Sequence, residues 1–114
     1  MNNLIELQKS TCTRFGAGFL ACKDGSKVGI ALQTLGKSPL NALRHTPKGE
    51  TNGWYIWAGE EFSESVDFFQ PLHVEHLSEH APDLLPYIGL SLGWRVPLAK
   101  DYEDVWYDEK LQDK

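Results

Sequence analysis

The five consecutive hydrophobic residues from Trp54 to Ala58 restrict the fold of this chain more than any other segment. Successive side chains of a β-strand point to opposite faces of its sheet, so alternate residues beginning at Trp54 and at Tyr55 would occupy the two faces. A strand that is hydrophobic on both faces is typical of one covered on both sides. The segment therefore predicts a central strand and a fold organised around a β-sheet.

The N-terminal part of the chain predicts a β-hairpin. Apolar residues occupy alternate positions in two segments, at Leu20 and Cys22 within Gly18–Cys22 and at Val28, Ile30 and Leu32 within Lys27–Thr34. The Asp24-Gly25 pair between them favours a tight turn, because glycine tolerates positive φ. By contrast, Gly36–Asn52 contains two prolines and shows no sustained periodicity, so it predicts a long loop with one helical turn near Leu40 to Arg44.

The C-terminal half predicts short helices followed by a second hairpin. Hydrophobic residues from Val74 to Ile88 follow a helical stripe, which Pro82 and Pro86 interrupt. Two short helices, or a helix and a turn, are therefore expected, with Pro82 in a first turn. The segments Trp94–Leu98 and Glu103–Tyr107 then predict the two strands of a hairpin.

Together these elements predict an α+β fold. We expect a single small domain, residues 1–114, in which one or two short helices pack on an antiparallel sheet. A short helix is also expected at Asn3–Lys9, with Asn3 as its cap. Pro97 favours an edge position or a bulge in its strand, because it lacks a backbone N–H. A chain of 114 residues has room for one hydrophobic core.

Composition argues against several classes of protein. The chain is 41% hydrophobic and 24% charged, as expected of a soluble globular domain. It has no run near the roughly 20 apolar residues of a membrane-spanning helix and no signal-peptide pattern, so a cytoplasmic location without a membrane partner is expected. Cys12 and Cys22 are too few for a disulfide scaffold and lack the spacing of a zinc site. No cofactor is predicted.

The net charge of −5 is unevenly distributed along the chain. Residues 1–50 carry seven Lys or Arg and three Asp or Glu, giving +4, whereas residues 51–114 carry four and thirteen, giving −9. The acidic half argues against a nucleic-acid partner, because phosphate binding requires clustered Lys and Arg. Such a charge distribution can steer a basic protein towards one face. Pairing between the two halves within the fold explains it equally well.

Three histidines, His73, His76 and His80, are candidate metal ligands. On a helix, neighbouring members would be three or four residues apart and could bind one ion. His73 and His80 would lie about 10 Å apart along the helix axis, so all three cannot readily reach one ion. The segment also lacks the His-Glu-x-x-His pattern. A solvated helix face is the simpler interpretation, and a metal-binding or ligand-binding accessory domain is the alternative function.

A catalytic interpretation would require paired carboxylates, with Glu60 or Glu61 facing Asp104 or Asp108 as general acid and base. Nothing in the sequence indicates that these side chains face each other. The chain also has no Gly-x-Ser-x-Gly elbow and no glycine loop that could bind phosphate. The sequence therefore predicts no catalytic residue, and the protein is not expected to be an enzyme.

The nine residues Asp101–Glu109 contain five acidic and three aromatic side chains and no basic one. Aromatic anchors flanked by charge are typical of tight protein interfaces. In a strand, Val105 and Tyr107 would point one way and Trp106 the other, so part of this set must belong to the core. The segment predicts a protein-binding surface with a structural contribution.

Four motifs in this order resemble the bacterial immunity-protein family thirty-three. They are Asn52–Glu61, Pro71–Leu77, Leu85–Leu90 with Gly93-Trp94-Arg95, and Tyr102–Glu109. With Lys27-Val28-Gly29 before them, the resemblance covers about residues 15–111. It implies a small α+β protein that neutralises a toxin of a bacterial polymorphic toxin system.

We therefore expect a non-catalytic immunity protein whose partner is a cognate toxin. An acidic inhibitor suits a basic toxin such as a nuclease, because opposite charges raise the association rate. Trp54 and Trp94 are expected in the core. The residues expected to bind the toxin come from the two aromatic and acidic segments and are Trp57, Glu60, Glu61, Glu103, Asp104, Trp106 and Asp108.

Overall fold

The structure is a computed structural model that describes residues 2–23, 25–47, 51–59, 68–99 and 102–112. Within these ranges the chain forms one α-helix, four 3-10 helices and seven β-strands. The α-helix is α1 Asn2–Phe15, and the strands are β1 Lys27–Ile30, β2 Leu40–Arg44, β3 Thr51–Ala58, β4 Gln70–His73, β5 Trp94–Ala99, β6 Tyr102–Glu103 and β7 Trp106–Tyr107. The 3-10 helices are Leu32–Thr34, Val74–Glu79, Pro82–Leu84 and Glu109–Gln112.

The seven strands form one sheet in the order β4-β1-β3-β2-β5-β6, and β7 also pairs with β5. Strand β1 runs parallel to β3, and the other pairs are antiparallel. The predicted α+β class is confirmed. The parallel β1–β3 pair makes the sheet mixed rather than wholly antiparallel.

Strand β3 is the central strand that its hydrophobic sequence predicts. It lies between β1 and β2 and pairs with both. Trp54 and Ile56 are completely buried in the main core on one face, while Tyr55 and Trp57 pack in a second cluster on the other face. The prediction of a strand covered on both faces is confirmed.

The main core lies on the face of the sheet that α1 covers. Its fully buried side chains are Val28, Ile30, Trp54, Ile56, Leu77, Leu84, Leu90 and Val96. Helix α1 contributes Cys12 and also buries Gln8 and Thr11, one helical turn apart. Gln8 Nε2 donates a hydrogen bond of 3.1 Å to the Leu85 carbonyl. Because two of these inward residues are polar, the sequence predicted only Asn3–Lys9 of this longer helix.

A smaller cluster of hydrophobic residues lies on the opposite face of the sheet. Its buried members are Ala31, Leu43, Trp57 and Leu111, and Tyr55, Phe68 and Phe69 pack against them. The Phe69 ring meets its neighbours edge to face, with centroids 5.2 Å from Tyr55 and 6.2 Å from Trp57. Leu111 reaches this cluster from the 3-10 helix after β7, so the C-terminal residues cover part of this face.

The predicted N-terminal hairpin is wrong. The turn itself is present, because the Ser26 N–H donates to the Lys23 carbonyl at 3.0 Å, although Asp24 lies outside the described residues. Gly18–Cys22 is not a strand and makes only one isolated bridge. Strand β1 pairs instead with β3 and β4, which come later in the chain. Local turn chemistry does not reveal such distant partners.

The predicted loop at Gly36–Asn52 is also corrected, because Leu40–Arg44 is not a helical turn. It forms β2, which pairs with β3 on one side and with β5 on the other. Arg44 at its end is almost completely buried although it is charged. Asn41 Nδ2 donates to the Gly59 carbonyl at 3.0 Å. Polar residues with structural partners therefore concealed a central strand in the sequence.

The C-terminal helices and the second hairpin agree with their predictions. Val74–Glu79 and Pro82–Leu84 are two short 3-10 helices, and Pro82 is in the first turn of the second. Strand β5 pairs with β6 and β7, but it is not an edge strand, because β2 pairs with its other side. Pro97 accepts a hydrogen bond of 3.2 Å from the Asp104 N–H and has no N–H to return. The ladder is interrupted at this point, between β6 and β7.

A bulge in β3 explains the glycine that precedes Trp54. Lys27 and Gly29 are two positions apart in β1, but their partners in β3, Thr51 and Tyr55, are four positions apart. Gly53 lies within this bulge at a φ of 95°, and a Cβ there would be 2.1 Å from the His45 carbonyl oxygen. Only glycine fits such a position. This glycine is therefore a requirement of the fold.

Candidate partner-binding surface

The pairing of β5 with the last two strands determines which of their side chains share a face. Arg95 is opposite Trp106 and Leu98 is opposite Glu103, so the register is the same on both sides of the interruption. The face of the second cluster carries Tyr102, Asp104 and Trp106. The face of the main core carries Glu103, Val105 and Tyr107.

Side-chain contacts agree with this alternation. The Arg95 guanidinium lies 5.5 Å from the Trp106 ring centroid on one face. The Trp94 and Tyr107 rings lie 5.8 Å apart on the other. The last two strands thus present different groups to the two faces of the sheet.

We call the acidic and aromatic residues on and directly after these strands the acidic-aromatic surface. It consists of five exposed residues, Tyr102, Glu103, Asp104, Trp106 and Tyr107, and of Asp108, whose side chain is largely buried. Its three aromatic side chains are large and exposed, at 51% for Tyr102, 44% for Trp106 and 46% for Tyr107. Trp54, by comparison, is 0% exposed and Trp57 is 9% exposed. Of these three tryptophans, Trp106 is the one that a partner can cover extensively.

Glu103 is held by two residues from distant parts of the chain. Arg14, in the last turn of α1, donates to its two carboxylate oxygens at 3.2 and 2.8 Å, and the Tyr87 hydroxyl donates to one of them. The Tyr87 hydrogen bond and then the Arg14 contacts lower the pKa of Glu103. Burial, followed by the bond to Glu103, raises the pKa of Tyr87. Part of the charge asymmetry is therefore compensated within the fold.

Asp108 is paired with Arg95 at the other end of the surface. Arg95 Nε donates to Asp108 Oδ2 at 2.7 Å, and the Lys110 N–H donates to Oδ1 at 3.1 Å. These contacts, led by Arg95, lower the pKa of Asp108. The same guanidinium lies at a cation–π distance from Trp106. Arg95 therefore positions both an acid and an exposed aromatic ring.

Asp104 differs from these two acids because its carboxylate has no strong partner among the described residues. It is exposed, and its contact there is a hydrogen bond of 3.4 Å from the Tyr102 hydroxyl. This distance exceeds the about 2.5–3.0 Å of a good O–H···O bond. Asp104 is therefore the acid of this surface that can accept a new donor without losing an existing one.

The other residues predicted to bind a partner lie in and after β3. Trp57 was expected at the surface, but the Phe69 ring and the neighbouring strands bury it. Glu60 and Glu61 lie outside the described residues. Four residues are neighbours across the sheet on this face, because Trp57 pairs with Asn41, Asn41 pairs with Pro97, and Pro97 bonds to Asp104. Trp57 thus lies on the same face of the sheet as Asp104, with β2 and β5 between them.

The structure gives no support to the catalytic alternative within the described residues. A cleft of about 410 Å³ lies beside the ends of β2, β3 and β5, and its lining includes Lys37, His80 and Asp83. Asp104 and Asp108 do not line it. Asp108 is instead engaged by Arg95. Glu60 and Glu61, the other members of the carboxylate pairs considered, lie outside the described residues.

The metal-binding alternative is not supported where the chain is described. Val74–Glu79 is a 3-10 helix with three residues per turn, so His76 and His80 are not stacked at an α-helical spacing. The rings of His73 and His76 are 6.2 Å apart, and His76 Nδ1 lies 3.2 Å from Glu79 Oε2. The described residues contain no group of three or more His, Cys, Asp or Glu that could hold a metal.

Three residues that organise the acidic-aromatic surface were not predicted as site residues. They are Arg14, Tyr87 and Arg95. The first two come from parts of the chain whose contact with β6 no local pattern reveals. Arg95 had a usable signal, because the predicted second hairpin already sets it opposite Trp106.

The sequence matches the Imm33-like domain over residues 7–108. The chain belongs to the Imm33-like family. This confirms the resemblance to immunity-protein family thirty-three, and the matched region includes all seven strands and the acidic-aromatic surface of this Imm33-like chain. Comparisons with curated proteins and with solved structures gave no match. None of its described helices is long and apolar enough to cross a membrane.

Proposed function

We propose that this Imm33-like protein is an immunity protein that binds a cognate bacterial toxin and neutralises it without catalysis. The toxin belongs to a polymorphic toxin system, and the complex forms in the cytoplasm. The acidic-aromatic surface is the proposed binding site. Family membership supports the general role, and the exposed side chains of the last two strands support the location.

The exposure of Tyr102, Trp106 and Tyr107 is the observation on which the proposal depends. Aromatic side chains dominate the energetics of protein interfaces, because each buries a large area at a small cost in conformational entropy. Tyr102 and Trp106 lie on one face of the sheet end that β6 and β7 form, and Tyr107 lies on the other face. Exposed aromatic side chains gathered at one end of a sheet are typical of an interaction site.

The acids of the surface provide charge for a basic partner. Glu103 and Asp108 have lowered pKa values, so both carboxylates stay ionised at neutral pH. Arg14 and Arg95 already fix their positions, which reduces the side-chain entropy that binding would cost. Asp104 adds an exposed carboxylate between the aromatic rings. Two of the acids are therefore positioned before a partner arrives.

A basic toxin such as a nuclease fits this surface. A nuclease carries positive potential where it binds phosphates, and an acidic inhibitor can occupy the same region and exclude the substrate. Electrostatic attraction raises the association rate, and buried aromatic anchors slow dissociation. Trp57, Glu60 and Glu61 belong to the same proposal, Trp57 as a buried residue of the same face and the two glutamates as further acids.

Co-expression with the protein encoded by the neighbouring reading frame tests this function. We expect that protein alone to stop growth, and the wild-type chain to restore it. Combining Trp106→Ala with Asp104→Lys should remove protection and weaken binding, measured by calorimetry, by roughly 100-fold or more, since each change removes an interface anchor. Circular dichroism and thermal unfolding show whether the variant is folded.

Glu79→Lys is the matched charge control. Glu79 is exposed in the 3-10 helix after β4, and β4 is at the opposite end of the sheet from β6. This variant should keep full protection. Full protection by the folded double variant Trp106→Ala, Asp104→Lys would exclude the acidic-aromatic surface as the toxin-binding site. A neighbouring protein that is harmless without this chain would count against the immunity function itself.

A further inference from the structure

We propose that Tyr102, Asp104 and Trp106 form a binding seat for one arginine side chain of the partner toxin. We call these three residues the arginine seat. The inference rests on the proposed function, because it names the chemical group that the acidic-aromatic surface receives. The affinity of the seat for arginine can be measured without the toxin.

The three residues are alternate positions of one extended segment, so their side chains project from the same face. The Tyr102 hydroxyl reaches towards Asp104, and Trp106 shares its face with Arg95. Alternate side chains on a strand are about 7 Å apart. Asp104 is therefore flanked on both sides by an exposed aromatic ring.

Within the part of the chain that the structure describes, Asp104 is the acid of this surface that lacks a strong donor. Glu103 receives three hydrogen bonds from Arg14 and Tyr87, and Asp108 receives one from Arg95. The described contact of the Asp104 carboxylate is the long bond from Tyr102. An incoming cation that binds Asp104 does not have to displace an internal one. Charge complementarity therefore selects a positively charged group here.

The aromatic rings beside Asp104 favour a guanidinium over an ammonium. A guanidinium is planar and weakly hydrated, so it can stack on an aromatic ring while its N–H groups donate to a carboxylate. An ammonium is compact and strongly hydrated, and it loses more hydration energy between two rings. Tyr102 and Trp106 leave such ring surface exposed. The seat thus fits arginine better than lysine.

An arginine of this chain already makes the same combination of contacts. Arg95 lies over the Trp106 ring and donates to the Asp108 carboxylate at 2.7 Å. One guanidinium therefore binds an indole ring and an acid at once on these strands. An arginine of the toxin would repeat this arrangement with Asp104, at the exposed side of the same segment.

Nuclear magnetic resonance titration of the full chain with hexa-arginine and with hexa-lysine tests the seat. The indole N–H signal of Trp106, assigned with Trp106→Phe, reports binding at this place rather than elsewhere on an acidic protein. We expect hexa-arginine to bind about fivefold more tightly than hexa-lysine at physiological salt, the value of one cation–π contact of about 1 kcal/mol.

Two variants separate the parts of the seat. Asp104→Asn should lower the hexa-arginine affinity about tenfold, because it removes a charge-assisted hydrogen bond. Tyr102→Leu should remove most of the preference for arginine while keeping the charge. Glu79→Gln, which removes one exposed negative charge at the other end of the sheet, is the control and should change the affinity less than about twofold.

Equal affinities for the two peptides in the wild-type chain would overturn the arginine seat. Equal losses in Asp104→Asn and Glu79→Gln would also overturn it, because they indicate nonspecific attraction. The proposed function is judged separately, by protection against the toxin. Suppose that the double variant Trp106→Ala, Asp104→Lys loses protection while the wild-type chain binds the two peptides equally. The acidic-aromatic surface would then stand as the toxin-binding site, and the arginine seat would be rejected. Arginine preference together with undiminished protection would keep the seat and reject its role in toxin binding.

Discussion

The Arg44 guanidinium lies 5.5 Å from the ring centroid of Trp54, inside the main core of the sheet. Its Nη1 donates to the carbonyl oxygens of Leu20 and Leu90 at 2.7 Å each, and its Nε donates to the Asn52 carbonyl at 3.0 Å. Burial lowers the pKa of Arg44, yet arginine remains charged at physiological pH. Through its bonds to Leu20 and Leu90, a buried charge thus joins β2 to backbone segments that strand pairing does not connect to it.

Arg44→Met should destabilise the protein by about 3–5 kcal/mol, because the Asn52 and Leu90 carbonyl groups would stay buried without this donor, at about 1–3 kcal/mol each, and the part-buried bond to Leu20 would also be lost. Arg44→Lys should cost less, since an ammonium keeps a donor but lacks the planar fork. Urea unfolding followed by circular dichroism measures both. Lys37→Met changes an exposed lysine shortly before β2 and serves as the control. A loss below about 1 kcal/mol for Arg44→Met would show that other donors replace the guanidinium.

Gly53→Ala should be far more destabilising than Gly25→Ala. Both glycines have positive φ, 95° and 82°, so alanine incurs a backbone strain of about 1–2 kcal/mol at either position. At Gly53 the new Cβ would also lie 2.1 Å from the His45 carbonyl oxygen, whereas at Gly25 it would meet nothing within 4 Å. We expect the two losses, measured by chemical unfolding, to differ by at least about 2 kcal/mol. Equal losses would mean that the bulge relaxes around the methyl group.

The stability that Glu103 contributes should disappear at acid pH. Tyr87 and then Arg14 lower its pKa in the folded state. Such a group stabilises the fold above its unfolded pKa, about 4.3 for glutamate, and loses this contribution as the pH falls through the lower folded value. The stability difference between wild type and Glu103→Gln should therefore be constant above about pH 5 and shrink below about pH 4. Unfolding at stepped pH measures it, and a difference that grows on acidification would contradict the assignment.

Trp54→Ala should destabilise the protein far more than Trp106→Ala. Removing the buried Trp54 ring should cost about 3–5 kcal/mol, as large-to-small changes in cores do. Removing the exposed Trp106 ring should cost less than about 1 kcal/mol. Thermal and urea unfolding of the two variants provide the comparison. A large loss for Trp106→Ala would show that its contact with Arg95 is part of the core rather than of a binding surface.

The elements that the sequence predicted are those whose pattern depends on near neighbours. Strand β3 was predicted because every residue from Trp54 to Ala58 is hydrophobic, which suits burial on both faces. The pairing of β5 with β6 and β7 needs only a short connection, so alternation was sufficient. Two prolines divided the segment after β4 into short helices. In each case the chemistry of consecutive residues determined the local structure.

The elements that the sequence did not predict depend on distant partners. Leu40–Arg44 contains the polar residues Asn41 and Arg44. Their side chains are satisfied in the strand by hydrogen bonds to carbonyl groups that are distant in the sequence. Strand β1 was assigned to a local hairpin because its actual neighbours, β3 and β4, lie far along the chain. Likewise the acids of the candidate surface were predicted, but Arg14 and Tyr87, which hold Glu103, were not.

The position of β1 in the sheet determines when the sheet can be completed during protein synthesis. It is the first strand made, yet its neighbours β3 and β4 are the third and fourth. Val28 and Ile30 therefore remain without sheet partners until residues 51–73 have left the ribosome. Pairing across such a separation has a larger loop-closure entropy and is slower than a local hairpin. During this interval the nascent chain carries unpaired hydrophobic strand residues, which favour aggregation.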